Sequence, residues 1–290
     1  MKSRKNNDMQ SGKVVYSTSQ KIIRAILSAM LILYTSITIF VIVVTVMDSF
    51  KTKVDLINNF IGLPKEFSIE SYTNVLLNDN FLMYFKNSIL LTLIGTTGCI
   101  ILSAMVAYGI ARYEFKGKSL LVSYFLVGMM VPIQVSVLPL FLILRKIGLL
   151  NHLAGMLLVY MAGISMSCYV FQKYFVSIPK SLEESARIDG CHDMIIFFRI
   201  ILPISKPVIF TMALITAVGE WNDFYMPMVL LGDKKTTTLT LAIYRYLGQF
   251  AKYMNQAMAG VVITLIPIII IYFLFSNQLI EGITGGAVKE

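Results

Sequence analysis

Four consecutive residues, Glu220-Trp221-Asn222-Asp223, place two carboxylates, an indole and an amide within an apolar stretch that runs from Val208 to Leu231. A carboxylate inserted into membrane hydrocarbon costs about 3 kcal/mol, so such residues usually face protein or water and carry a function. Residues three apart share a helix face, which puts Glu220 and Asp223 together. We expect this group to line the path of a polar solute, with Trp221 as an apolar stacking surface.

Two other interpretations of these carboxylates stay open. Glu220 and Asp223 could lie near the outer boundary of a membrane, or pair with polar groups of another subunit. They could also serve as the ion or proton relay of a self-powered transporter, because intramembrane carboxylates are the usual members of such relays.

A second polar group, "SLEESARIDGCHD", extends from Ser181 to Asp193. Ser181 and Glu184 have the spacing of a capping box, and Gly190 stands where a helix ends in the left-handed conformation. The pattern predicts a helix of about two turns from Leu182 to Asp189. A helix this short is marginal alone, so we expect it to dock against another surface.

Catalytic and metal-binding patterns are missing from the sequence. Gly117-Lys118-Ser119 resembles the end of a phosphate-binding loop, but that motif requires glycine where Arg112 stands. His152 and His192 lack the spacing of metal ligands. We therefore predict no catalytic residues, no metal site and no cofactor bound by this chain, and we expect that it is not an enzyme.

The composition indicates a protein that lies in a membrane. The chain has 290 residues, of which 57% are hydrophobic and 14% charged, and a mean hydropathy of +0.74. A soluble domain could not bury that much apolar surface. The net charge of +9 is not arranged as a basic stripe with aromatics, so we predict no nucleic-acid partner.

Uncharged apolar runs predict six transmembrane helices, since about 20 residues cross the hydrocarbon. Five runs are clear and the sixth carries Glu220 and Asp223; in chain order the predicted spans are Ile26 to Met47, Asn87 to Ile110, Ser119 to Leu144, Leu153 to Gln172, Val208 to Leu231 and Ala257 to Ile280. The fold class is therefore all-α and integral to the membrane.

The distribution of basic residues predicts the topology. The N-terminal 25 residues, 112–118, 173–206 and the C-terminal tail hold 15 of the 25 lysines and arginines, so these segments and both termini should be cytoplasmic. The predicted segments are a cytoplasmic tail (1–20), a first transmembrane helix (21–47), an external segment (48–86), a five-helix core (87–280) with a cytoplasmic loop (177–206), and a cytoplasmic tail (281–290).

The polar loop resembles the cytoplasmic "EAA" loop of binding-protein-dependent ABC importer permeases. Glu184-Ser185-Ala186, Gly190, Ile200 and Leu202-Pro203 match its spacing, with Ser185 in place of the first alanine. "IPKSLEESARIDG", "ILPISKP" and "GEWNDF" are similar to the carbohydrate-uptake branch. The last helix and "GITGGAVKE" resemble those of the smaller permease subunit of maltose transporters.

The resemblance implies the type I ABC importer permease fold and a coupling mechanism. In the family this loop holds a helix that docks on a separate ATPase, which binds ATP and magnesium. Carried over, the coupling residues are Glu184, Ala186, Gly190, Ile200, Leu202 and Pro203. Glu184 would cap the helix and offer charge, Ala186 would allow close approach, and Gly190 would make the turn.

The resemblance also implies the partners and the cargo. We expect a second permease subunit forming a heterodimer, two cytoplasmic ATPase subunits, an extracellular or periplasmic sugar-binding protein and the lipid bilayer of the cell membrane. The chain would be a multi-pass subunit that forms half of the pore of a sugar or oligosaccharide importer, and Glu220, Trp221, Asn222 and Asp223 would then contact sugar.

Overall fold

The computed structural model describes residues 17–78 and 80–287, and within these ranges the chain is helical and contains no β-strand. The tails predicted at 1–20 and 281–290 lie in part outside the described residues. The helices are α1 (Thr18–Ser49), α2 (Lys53–Asn58), α3 (Glu70–Asn78), α4 (Phe81–Arg112), α5 (Lys118–Met130), α6 (Val137–Lys146), α7 (Leu153–Ala162), α8 (Ser165–Val176), α9 (Ser181–Ile188), α10 (Asp193–Ile196), α11 (Leu202–Ile204), α12 (Lys206–Asn222), α13 (Tyr225–Leu230), α14 (Leu239–Gly248) and α15 (Phe250–Ala287).

Within the described residues, between four and six segments could cross a membrane. Four helical segments are long and apolar enough by themselves: Thr18–Ser49, Phe81–Arg112, Leu153–Val176 and Lys252–Phe275. Two bent pairs could each add one: Lys118–Met130 with Ile133–Lys146, bent by 99°, and Asp193–Ile204 with Lys206–Asn222, bent by 80°. The all-α membrane class is confirmed in this coarser form.

The predicted third span is broken near Pro132. Helix α5 ends at Met130, and Val131 is extended with φ −76° and ψ 119°. Proline disfavours the helical conformation in the residue before it, which explains why the helix stops there. A 3₁₀ turn, Ile133–Ser136, then leads into α6. The predicted span from Ser119 to Leu144 therefore consists of two helical segments bent by 99° with respect to each other.

The predicted fifth span is also shorter than expected. Helix α12 has 17 residues, or about 25 Å at 1.5 Å per residue. It ends at Asn222, and Asp223 is extended before α13 begins at Tyr225. The polar group singled out in the sequence is therefore located at a break between two helices.

Another break separates α7 from α8 at Gly163 and Ile164. Their carbonyl oxygens lie near polar side chains of α4: the Cys99 thiol donates to the Gly163 oxygen at 3.5 Å, and the Ser103 hydroxyl donates to the Ile164 oxygen at 3.4 Å. Membrane helices can be interrupted where a neighbouring helix satisfies the freed carbonyls in this way. Helix α4 thus supports the break.

Helix α4 is the centre of the fold, because it packs against α7, α8 and α12. Helix α1, by contrast, lies at the periphery of the fold. Residues 18–43 of α1 are exposed, and their apolar side chains suit a surface covered by lipid. Helix α1 packs against α15.

A buried lysine anchors the C-terminal end of α1. The Lys51 ammonium is fully buried and donates to Asp48 Oδ1 at 2.6 Å and to the Asn59 carbonyl at 2.6 Å. A buried ammonium requires such partners. This Lys51 anchor fixes the end of α1 to the chain that follows α2.

Candidate functional site

Helix α9 is attached to α4 by a buried ion pair. Glu183 is 4% exposed, and its carboxylate pairs with the Arg112 guanidinium at the C-terminal end of α4. The Tyr108 hydroxyl, one turn earlier on α4, donates to Glu183 Oε2 at 3.2 Å. Arg112 also donates to the Ile178 carbonyl at 3.3 Å. The cytoplasmic-loop helix predicted from the sequence is thus joined to the central helix of the core.

A second, more exposed contact joins the same parts. Asp193, at the start of α10, accepts from Arg187 of α9 at 2.9 Å and from the Tyr113 hydroxyl just beyond α4. The hydrogen bond to Asp193 raises the pKa of the Tyr113 hydroxyl above its usual range. Glu183 and Arg187 are four residues apart and therefore share a helix face, so that face of α9 is the one held against α4.

The opposite face of α9 is exposed and mixed in character. Glu184 and Ile188, also four residues apart, lie on it, and Ile188 is 87% exposed. The Ser185 hydroxyl on this face donates to the Ser181 carbonyl at 2.9 Å. This face of α9 therefore presents both an apolar side chain and a carboxylate to its surroundings.

The sequence prediction for this helix needs two corrections. The helix spans Ser181–Ile188, within one residue of the predicted ends, but its N-cap is Lys180, which is helical and provides no side-chain cap. Glu184 therefore does not form the predicted capping box with Ser181. Ala186 is buried among core residues, so its small side chain allows close approach to the rest of this chain rather than to an outside partner.

Gly190 ends the helix as predicted. Its φ is +82°, its amide donates to the Arg187 carbonyl at 3.0 Å, and the Cys191 amide donates to the Ala186 carbonyl at 2.9 Å. These two bonds are those of a Schellman motif. A Cβ added to Gly190 would meet nothing within 4 Å, so glycine is needed for its backbone conformation and not for space.

Of the remaining predicted coupling residues, Ile200 lies in a π-helical turn, Phe197–Ile201, and Leu202 and Pro203 follow it in α11. Ile200 and Leu202 are partly buried and pack against the core cluster that also contains Ala186. Pro203 is exposed. Ile200 and Leu202 therefore hold the segment to the core, and the structure does not bring them together with Glu184.

Asp223 organises the break between α12 and α13. Its Oδ1 accepts from the amides of Tyr225 at 3.0 Å and Met226 at 3.2 Å, so it caps α13. Its Oδ2 accepts from the Tyr160 hydroxyl of α7 at 3.1 Å. One carboxylate thus starts a helix and connects that helix to α7.

Glu220 is connected to α4 instead. Its Oε2 accepts from the Thr96 hydroxyl at 3.0 Å, and Gly95 lies beside it. The Tyr160 hydroxyl also reaches the Glu220 carbonyl at 3.4 Å. Glu220 at the end of α12 and Asp223 just beyond it thus connect this region to α4 and to α7, respectively.

Trp221 does not have the predicted role. It is 6% exposed, its indole donates to the Thr264 carbonyl of α15 at 3.3 Å, and it packs edge-on against Phe85. It therefore packs between α12 and its neighbours and is not a stacking surface for a solute. Asn222 is exposed, and its amide donates to the Val218 carbonyl at 2.9 Å.

A cavity of about 410 Å³ lies beside these carboxylates. Its walls come from all three helix breaks: Gln134 after α5, Gly163 after α7, and Asp223 after α12. The other polar side chains that line it are those of Tyr160, Thr216, Glu220, Asn222 and Tyr225. Interrupted helices that meet at a polar cavity are typical of solute sites in transporters. Tyr160, Thr96 and Gln134 could not be found from the sequence, because each stands in an ordinary apolar run.

Gly95 allows α4 to approach this cavity. A Cβ placed there would lie 2.8 Å from Glu220 Oε2 and 3.0 Å from Tyr160 Cβ. We expect Gly95→Ala to lower the free energy of unfolding by about 1–3 kcal/mol, as overpacking does. Thermal unfolding in detergent, followed by circular dichroism, measures the change.

Gly109 provides the matched control on the same helix, because a Cβ there would meet nothing within 4 Å. Gly109→Ala should leave stability unchanged or raise it by up to about 1 kcal/mol through helix propensity. Equal effects of the two substitutions would contradict the close approach at Gly95.

No metal centre accompanies these residues in the described part of the chain, where no three His, Cys, Asp or Glu side chains are grouped as ligands. The exposed face of α9 offers apolar contact and charge, while the cavity offers acceptors for hydrogen bonds.

Comparisons with known proteins identify relatives over most of the chain. Residues 99–284 match the family described as the binding-protein-dependent transport system inner membrane component. A probable starch degradation products transport system permease of Thermoanaerobacterium thermosulfurigenes is 32% identical over 248 residues, or 85% of this chain and 90% of the relative. The multiple sugar-binding transport system permease of Streptococcus mutans is 33% identical over 253 residues, covering 86% and 91%.

A solved structure has the same fold. A chain of a bacterial ABC transporter involved in the import of the acidic polysaccharide alginate superposes with a TM-score of 0.79. The two chains are 24% identical, and the match covers 91% of this chain and 99% of the other. At that identity the likeness concerns the fold.

Proposed function

The chain belongs to the family of binding-protein-dependent transport system inner membrane components, and we propose that it is the permease subunit of an ATP-driven importer of a sugar or oligosaccharide, coupled to its ATPase through α9. Its relatives include permeases named for starch degradation products and for multiple sugars. The observation that carries the coupling role is the two-sided character of α9. Its inner face is tied to α4, whereas Glu184 and Ile188 are presented outward.

The proposal includes six spans with both termini in the cytoplasm. The two bent pairs count as one span each in this arrangement, and the 177–206 loop, which holds α9, lies on the cytoplasmic side with the N-terminal and C-terminal tails. The distribution of lysine and arginine supports this orientation. The segment 48–86, which contains the Lys51 anchor, is then external.

The proposed assembly contains a second permease subunit, two cytoplasmic ATPase subunits that bind ATP and magnesium, and an external sugar-binding protein. The family description, which refers to a binding protein, supports the last of these. The exposed apolar side of α1 is available for lipid or for the second permease. In this assembly the present chain supplies half of the pore and hydrolyses nothing.

Helix α4 can carry movement from α9 to the cavity. Arg112 and Tyr108 hold α9 at one end of the helix, and Thr96 holds Glu220 near its middle. The 16 residue steps from Thr96 to Arg112 span about 24 Å at 1.5 Å per residue. Nearer the other end, Asn87 donates to the Lys235 and Thr237 carbonyls at 2.9 Å each. A shift of α9 would thus reach the cavity and the 231–238 loop through one rigid element.

The alternative of a self-powered transporter receives no support. None of the relatives described above is named as one. Asp223 already accepts from two amides and from Tyr160, which are the contacts of a structural cap.

The coupling proposal is tested by the exposed face of α9. We expect Ile188→Asp to weaken co-purification of the ATPase at least about tenfold, because it removes roughly 2 kcal/mol of apolar contact and adds a charge. ATP-dependent sugar uptake should fall in parallel, while the amount of permease in the membrane stays the same. Quantitative pull-down and vesicle uptake give the two readouts.

Leu63 provides the matched control, since it is 75% exposed and lies in the 48–86 segment. Leu63→Asp makes the same chemical change far from α9 and should leave ATPase association intact. Full association and uptake in Ile188→Asp would rule out α9 as the docking element.

A further inference from the structure

We infer that the cavity between α7 and α12 accepts neutral sugars and excludes acidic ones, an inference that rests on the proposed importer function. The charge of its walls is the first argument. Glu220 and Asp223 line the cavity, and among the described residues that surround it there is no lysine, arginine or histidine. This half of the path is therefore rich in acceptors and lacks a cation.

Neutral sugars suit such walls, because each hydroxyl can donate a hydrogen bond. Glu220 and Asp223 provide carboxylate acceptors, and Gln134 and Asn222, both exposed, add amide groups that can accept or donate. The ring of Phe224, which stacks on Tyr244 at 4.2 Å between centroids, lines the same cavity and gives an apolar face. A cavity of about 410 Å³ is within the range of small-molecule sites.

Acidic sugars are opposed by the same walls. A uronic acid would bring a third carboxylate close to Glu220 and Asp223, which are both partly buried, so water and salt screen the repulsion less than they would at an open surface. Discrimination by like charge is an effective way to reject a ligand that otherwise fits. The solved relative belongs to an importer of an acidic polysaccharide, so the shared fold does not dictate the charge of the cargo.

The test compares two trisaccharides that differ only in oxidation at C6, galactotriose and trigalacturonate. The complete transporter, without its binding protein, is reconstituted in nanodiscs, and binding of each radiolabelled trisaccharide is measured by equilibrium dialysis. We expect galactotriose to bind at least about tenfold more tightly, as charge repulsion predicts. Equal binding, tighter binding of trigalacturonate or binding of neither would overturn the inference.

Two variants assign the preference to this cavity. Glu220→Gln keeps an acceptor for Thr96 but removes a charge, and should reduce the preference for galactotriose at least about threefold, because one of two repelling carboxylates is lost. Glu66→Gln makes the same change at an exposed residue between α2 and α3 and should leave the preference as in the wild type. If Glu220→Gln retains the same preference for galactotriose as Glu66→Gln, the cavity is not the source of that preference.

The proposed function is checked separately by ATP-dependent uptake of sugar through the wild-type transporter with its binding protein. Active uptake together with equal binding of the two trisaccharides would refute the neutral-sugar inference alone. Absence of ATP-dependent uptake would refute the importer itself.

Discussion

Replacing Glu183 with alanine is expected to lower the free energy of unfolding by about 3–5 kcal/mol, because it leaves the Arg112 guanidinium buried without its counter-charge. Arg112 and Glu183 side chains are 4% and 5% exposed, so water cannot replace the missing carboxylate. The Tyr108 hydroxyl loses its acceptor at the same time. The thermal unfolding midpoint of the purified subunit in detergent should fall accordingly.

Glu184 is the natural control for this prediction, since it is the neighbouring glutamate but lies on the exposed face of α9. Glu184→Ala should change stability by less than about 0.5 kcal/mol, as is usual for surface substitutions. An unfolding midpoint for Glu183→Ala as high as that for Glu184→Ala would refute the buried ion pair.

A double variant separates stability from coupling. Arg112→Met with Glu183→Leu replaces the ion pair by apolar side chains of similar size, a change that is often neutral or stabilising. We expect it to recover most of the stability lost in Glu183→Ala. Sugar uptake and ATP hydrolysis of this double variant, measured on the reconstituted transporter, would then show whether the ion pair also transmits movement from α9 to α4. We expect the double variant to hydrolyse ATP without taking up sugar.

Replacing Asp223 with alanine is expected to abolish uptake and to lower the free energy of unfolding by about 2–3 kcal/mol. The change removes the bonds from the Tyr225 and Met226 amides that cap α13, worth about 1 kcal/mol, and takes from the Tyr160 hydroxyl its shorter hydrogen bond, which costs a further 1–2 kcal/mol or so. The break at which α12 ends would lose its geometry. The cavity wall that this break forms would be lost as well.

Asparagine at the same position distinguishes the cap from the charge. Asp223→Asn keeps an oxygen that can accept from the Tyr225 and Met226 amides, so stability should stay within about 1 kcal/mol of the wild type. Thermal unfolding and vesicle uptake of both variants measure the two effects. If Asp223→Ala were as stable as Asp223→Asn, the capping role would be wrong.

The sequence predicted α9 almost to the residue because its ends depend on local features. Proline at 179 and glycine at 190 limit the helix from either side, and both act through their own backbone. Which of the two adjacent glutamates faces the core could not be predicted in the same way. That choice depends on Arg112, 71 residues earlier in the chain, which only the packing of α4 brings to Glu183.

The helix breaks also divide into one that the local sequence indicates and one that depends on packing. Pro132 marks the break after α5 in the sequence, although hydropathy alone suggested one continuous span. The break at Gly163 has no proline, and it depends on Cys99 and Ser103 reaching over from α4. The sequence suggested that Trp221 lines a solute path, because it stands between two carboxylates. Adjacent residues on a helix point in different directions, however, and the Trp221 side chain points toward α15.

The Lys51 anchor has a consequence for how the protein is made. Lys51 and Asp48 are almost without water in the folded protein, and two of the ammonium's acceptors, the Asn59 and Phe60 carbonyls, lie eight and nine residues later. The full set of contacts can therefore form only after the chain has been synthesised as far as Phe60. Until then the ammonium lacks two of its acceptors, and the C-terminal end of α1 is not yet joined to the chain that follows α2.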